Sequence, residues 1–172
     1  MAKLIKLQSM ELPKVYVVGK EIKVKMQDIM GGNNPIPALW EKCMSDDTFQ
    51  ELSKQKAHST GDWVGLMTDW DEANGTFDYT CGMMLVDGVA PAPEYSVHEL
   101  AATKVWASWV QGKDINDVCK EAHCLTAKAL AEQGVNIQES SNGWCMEVYN
   151  CPRFTVPDSS GNIILDYYIA VK

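Results

Sequence analysis

Apolar and polar positions alternate along several stretches of the chain and recur at helical spacing in two others. Val15-Tyr16-Val17-Val18 opens a strand-like run that passes Gly19 and continues as Ile22-Lys23-Val24-Lys25-Met26, apolar against charged. Residues 1–13 read as a lead-in ending at Pro13, and Gly19 reads as a bulge or bend. Gly31-Gly32-Asn33-Asn34-Pro35 is a turn cluster without the Lys-Ser or Lys-Thr of a phosphate loop. Ile36, Leu39, Trp40 and Cys43 then share one face of a helix, with Asn34 as its cap. Ser45-Asp46-Asp47 interrupts it, and Phe49 and Leu52 carry the stripe to about Gln55, so one kinked helix or two short ones are expected. Trp63 to Trp70 and Thr76 to Val86 read as a hairpin around Asn74-Gly75, with Phe77, Tyr79, Cys81, Met83 and Leu85 on one face.

Pro91-Ala92-Pro93 reads as a linker. Beyond it a long β-rich run extends from Tyr95 to Val110, with a bend marked by Ala101-Ala102 and Lys104. Asp114 caps a helix from Ile115 to Gln133, closed by Gly134, whose apolar face is Ile115, Val118, Ala122, Leu125 and Ala129. Strands follow at Trp144–Tyr149 and Ile163–Val171. The order strand, helix, strand, strand thus occurs twice, at an offset of about 80 residues. The expected class is α+β: two βαββ units related by a pseudo-two-fold, over 12–90 and 94–172. They would form a curved antiparallel sheet with two main helices on one face and a cleft along the pseudo-axis.

Charge narrows the choice of partner. Fifteen Lys and Arg stand against 23 Asp and Glu, a net charge of −8. That disfavours nucleic acid and suits cationic small molecules. No stretch has the length of a membrane span, and the N-terminus is too short and interrupted for a signal peptide, so a cytoplasmic location is expected. The six cysteines are then free thiols, most of them expected in the core. Neither Cys119/Cys124 nor Cys145/Cys151 has zinc-knuckle spacing, and no histidine stands out as a haem ligand: His58 falls in a polar stretch, His98 on an outer sheet face, His123 off the apolar stripe of its helix. No metal and no cofactor is expected.

The chain resembles the GyrI-like ligand-binding domains, which also form the effector-binding half of AraC- and MerR-type multidrug regulators. Leu12-Pro13-Lys14-Val15-Tyr16-Val17-Val18-Gly19 looks like the family's first strand and Ile36-Pro37-Ala38-Leu39-Trp40 like its first helix. Asp78-Tyr79-Thr80-Cys81-Gly82-Met83 is similar to its Tyr-x-x-Gly strand, Tyr95 to Ala107 to its fifth strand, and Met146-Glu147-Val148-Tyr149 to its Glu-x-Tyr strand. The usual Pro-Ala-Gly corner is Ala101-Ala102-Thr103 here. The second helix lacks a Trp often found there, and the Trp-Leu-Pro that follows it in relatives is missing. The resemblance implies an aromatic pocket with one acid, Glu147, that meets lipophilic cations.

Glu147 also stands out on its own, as an acid in an apolar strand that burial penalises unless something pairs with it. Tyr149 shares its face by strand alternation. Tyr167, Tyr79, Trp106, Trp70 and Trp40 are the other candidates for the ligand-binding wall. The first expectation is a stand-alone binding module for hydrophobic, cationic small molecules, since about 12 residues before the first strand leave no room for a DNA-binding domain. The second is a hydrolase of strained, cyclopropane-type genotoxic compounds, with Glu147 catalytic and Glu99 as its partner. The third is a protein-interaction modulator of the gyrase-inhibitory type.

Overall fold

The computed structural model describes residues 1–59, 61–135, 137 and 143–170. Its elements are β1 (Lys3–Leu12), β2 (Val15–Lys25), α1 (Met26–Met30), α2 (Ile36–Ser45), α3 (Thr48–Leu52), β3 (Trp63–Asp71), β4 (Thr76–Leu85), β5 (Ser96–Leu100), β6 (Thr103–Gly112), α4 (Ile115–Glu132), β7 (Cys145–Tyr149) and β8 (Ile163–Ala170). The class is α+β, with antiparallel strand pairing. The chain divides into two compact units: Met1–Pro13 with Ala102–Lys172, and Lys14–Ala101. Val171, the expected end of the last strand, lies outside the described residues.

In the unit Lys14–Ala101 the strand order is β3-β4-β2-β5. Alternation along β4 sends Phe77, Tyr79, Cys81, Met83 and Leu85 to one face, where they pack with Val18 and Val24 of β2, Leu39 and Cys43 of α2, and Phe49 and Leu52 of α3. Asn34 Oδ1 accepts from the Ile36 amide at 3.0 Å at the head of α2. The interruption at Asp46-Asp47 is a true break: Asp46 Oδ1 accepts from the Thr48 amide at 2.9 Å and starts a second helix. Gly19 is not a bulge. The β2–β4 register passes through Gly19↔Gly82 without a shift, and a Cβ on either glycine would meet the backbone of the facing strand.

In the other unit the order is β1-β6-β8-β7. The supposed lead-in is therefore a ten-residue strand, paired with β6 from Lys3↔Gln111 to Leu12↔Thr103. The single long run expected from Tyr95 is two strands parted at Ala101-Ala102: β5 pairs with β2, while β6 pairs with β1 and β8. Asp114 caps α4 through the Asp117 amide at 3.0 Å. The buried stripe of α4 is Val118, Ala122, Thr126 and Leu130, a spacing of four. Ile115, expected on that stripe, is exposed. Thr126 is tolerated there because its hydroxyl bonds to Ser108 Oγ at 2.6 Å and donates to the Ala122 carbonyl at 2.7 Å.

Candidate functional site

β7 is short and apolar, and Glu147 sits at its middle, 8% exposed. Its register partner on β8 is Tyr167, so the two side chains leave the same face of the sheet. The contacts to Cys119 and His123 show that this is the face α4 covers. Tyr149, two residues on, donates its hydroxyl to Glu147 Oε2 at 2.9 Å. Cys119 Sγ lies 3.7 Å from the Tyr149 hydroxyl. Burial, and after it the charge of Glu147, hold the Cys119 thiol far above its ordinary pKa, so it stays a neutral S–H. Phe154 meets the Tyr149 ring edge-on at 4.8 Å.

One strand over, the Tyr167 hydroxyl lies 3.1 Å from His123 Nδ1, and Cys145 Sγ is 3.9 Å from the same nitrogen. Burial lowers the His123 pKa and pushes the Cys145 thiol up to about 11. A lowered imidazole pKa and a raised thiol pKa keep both groups uncharged at neutral pH.

Of the residues chosen from sequence, Glu147, Tyr149 and Tyr167 come together in this way. Trp106 lies on β6 of the same unit, half-buried, opposite Ile169. Tyr79, Trp40 and Trp70 belong to the other unit. There Trp40 Nε1 donates to the Tyr79 hydroxyl at 2.9 Å, and Trp70 is 57% exposed, 6.3 Å from the Phe77 ring. Glu99, also in that unit, is exposed, bonded by the Tyr16 hydroxyl at 3.0 Å and paired with Lys14 at 3.2 Å. A surface cleft of about 350 Å³ in that unit is lined by Lys20, Asp46, Thr48, Glu51, Glu94 and Tyr95 among others, and Glu147 is not part of it.

His123 and Cys119 were missed because helix spacing puts them beside the apolar stripe, not on it. They stand one turn apart, which was the available signal. His98 is engaged: its Nε2 lies 2.5 Å from Glu21 Oε2 and 3.2 Å from Thr80 Oγ1. All six cysteines are free; Cys43 and Cys81 are fully buried, Cys119 and Cys145 partly, and Cys124 and Cys151 are exposed, so most thiols are not core residues.

No protein-family model and no curated protein matches the sequence. Solved structures do match over nearly the whole chain. SAV2435 bound to tetraphenylphosphonium has a TM-score of 0.72 at 16% identity, covering 98% of this chain and 94% of that one. At that identity the likeness is one of fold. A putative bacterial transcription regulation protein from Staphylococcus aureus MU50 (TM-score 0.67, 16% identity, 97% and 98% covered) shares it. So does an integron cassette protein of Vibrio cholerae (0.65, 16%, 99% of both chains). Among the described residues no helix is long and apolar enough to cross a membrane.

Proposed function

We propose that this domain binds hydrophobic, cationic small molecules, with Glu147 as the counter-charge and Tyr149 and Tyr167 as the surrounding rings. The observation that carries this reading is Glu147 itself: a carboxylate 8% exposed on the helix-covered face of β7, hydrogen-bonded by Tyr149 and opposite Tyr167. Burying it disfavours the charge, and a delocalised cation that sheds water easily would offset that cost. Rings add their quadrupoles to the same attraction. Support comes from a relative of the same fold having been solved with tetraphenylphosphonium, a cation of this class.

Titration of the protein with tetraphenylphosphonium, followed by calorimetry, tests the reading. Wild-type protein should bind, and Glu147→Gln, which keeps size and hydrogen bonding but removes the charge, should weaken binding by about 30-fold or more. Equal affinity of the two proteins would remove Glu147 from the site.

A further inference from the structure

The turn between β3 and β4 carries a reactive pair, Asn74-Gly75. Asparagine is among the chemically labile residues, because its amide carbon can be attacked by the backbone nitrogen that follows it. Asn74 is exposed. Gly75 has φ +59°, a left-handed conformation that glycine adopts without strain. A Cβ at Gly75 would meet nothing within 4 Å, so the turn stands in open space at this point. Glycine itself places no side chain between its nitrogen and the Asn74 amide.

The same amide is part of a clamp. Asn74 Nδ2 donates to Asp71 Oδ2 at 2.7 Å, and the Asn74 backbone N–H donates to Asp71 Oδ1 at 3.2 Å. The side-chain bond first, and the backbone bond after it, hold the Asp71 carboxyl below its ordinary pKa, so a carboxylate faces the amide at neutral pH. The Gly75 carbonyl in turn accepts from the Met26 amide at 2.9 Å, where β2 ends and α1 begins. Beside it the β2–β4 register reaches Lys25↔Thr76. Asn74 and Gly75 thus tie the hairpin to Asp71 on one side and to the β2–α1 corner on the other.

We infer that Asn74 is a modification site: its amide converts spontaneously to aspartate and isoaspartate, and the conversion loosens the β3–β4 turn. The Gly75 nitrogen, giving up its proton to solvent base, bonds to Asn74 Cγ. The bond from Cγ to Nδ2 breaks, and that nitrogen leaves as ammonia. Water then opens the cyclic imide. Attack at Cγ restores the backbone and leaves aspartate; attack at the main-chain carbonyl leaves isoaspartate, with the chain running through Cγ. One water enters and one ammonia leaves, and no oxidant or reductant is involved. In both products a second carboxylate replaces the amide beside Asp71, so repulsion between like charges takes the place of a hydrogen bond. Isoaspartate also lengthens the backbone by a methylene and displaces the carbonyl that holds Met26. None of this depends on what Glu147 receives.

Wild-type protein held at pH 8 and 37 °C for several weeks, followed by peptide mass mapping and enzymatic methylation of isoaspartate, tests the site. Both products should accumulate at position 74, which mapping separates from the chain's other Asn-Gly pair, Asn142-Gly143. Asn74→Gln, which would have to close a larger and less favoured ring, should stay unconverted. A synthetic peptide of residues 70–79 sets the time scale: conversion of the peptide while the folded protein keeps its Asn74 amide overturns the site. Asn74→Asp supplies one product directly, and its urea midpoint should fall below that of wild-type protein. A midpoint equal to wild type would overturn the loosening of the turn.

Discussion

Asp46 shows how much one side chain can hold together. Its carboxylate takes the Lys20 ammonium at 2.8 Å and the Thr48 amide at 2.9 Å, tying β2 to the start of α3. Those hydrogen bonds, Lys20's first and then Thr48's, lower its pKa to about 2. A carboxyl with a depressed folded-state pKa stabilises the fold at pH values above its unfolded value near ~3.9. That contribution is lost as pH falls from there towards about 2. Urea midpoints measured at pH 5 and pH 2.5 should therefore drop more for wild-type protein than for Asp46→Asn. Parallel drops would mean that Asp46 is not the group responsible. Part of the carboxylate is exposed, so solvent screening keeps the effect modest.

At the scale of elements, the close approach of β2 and β4 depends on two glycines. Gly19 and Gly82 face each other, and a methyl group on either would enter the backbone of the opposite strand. Neither position is needed for its dihedral angles; both are needed for their lack of a side chain. Gly19→Ala should cost about 1–3 kcal/mol, the range of overpacking in a tight interior, and lower the urea midpoint accordingly. An unchanged midpoint would show that the strands can separate without loss. From sequence, a mid-strand glycine signals either a bulge or a close neighbour, and the two cannot be told apart without the partner strand. The helix ends were more readable: Asn34, Asp114 and Gly134 act where local chemistry places them, because a cap needs nothing beyond its own turn.

Across the whole molecule, the chain's first strand is the element whose importance sequence hides. β1 covers the outer edge of β6 along nine register pairs, in a unit whose other strands lie about a hundred residues further on. A variant lacking residues 1–13 should lose about 3 kcal/mol or more, given a few tenths to one kcal/mol per cross-strand pair. It should also show increased aggregation from the bared β6 edge. A truncated protein as stable and as monomeric as the full chain would restore residues 1–13 to the status of a lead-in.

Local pattern was sufficient for most elements. Alternation defined β2, β3, β4 and β8, and helical spacing defined α2 and α4, because both periods follow from the backbone alone. The candidate acid was legible as well, since a carboxylate inside an apolar strand is an anomaly in any fold. Tertiary structure decided the rest. Pairing determined that β1 is a strand, that Tyr95–Val110 is two strands with different partners, and that Gly19 meets Gly82. Register determined that Tyr167 faces Glu147 while Tyr79 faces Met67, a distinction no spacing contains because it links positions 20 and 12 residues apart through hydrogen bonds between strands. It also brought Cys119 to Tyr149 and His123 to Tyr167, from a helix whose sequence shows just the stripe it buries.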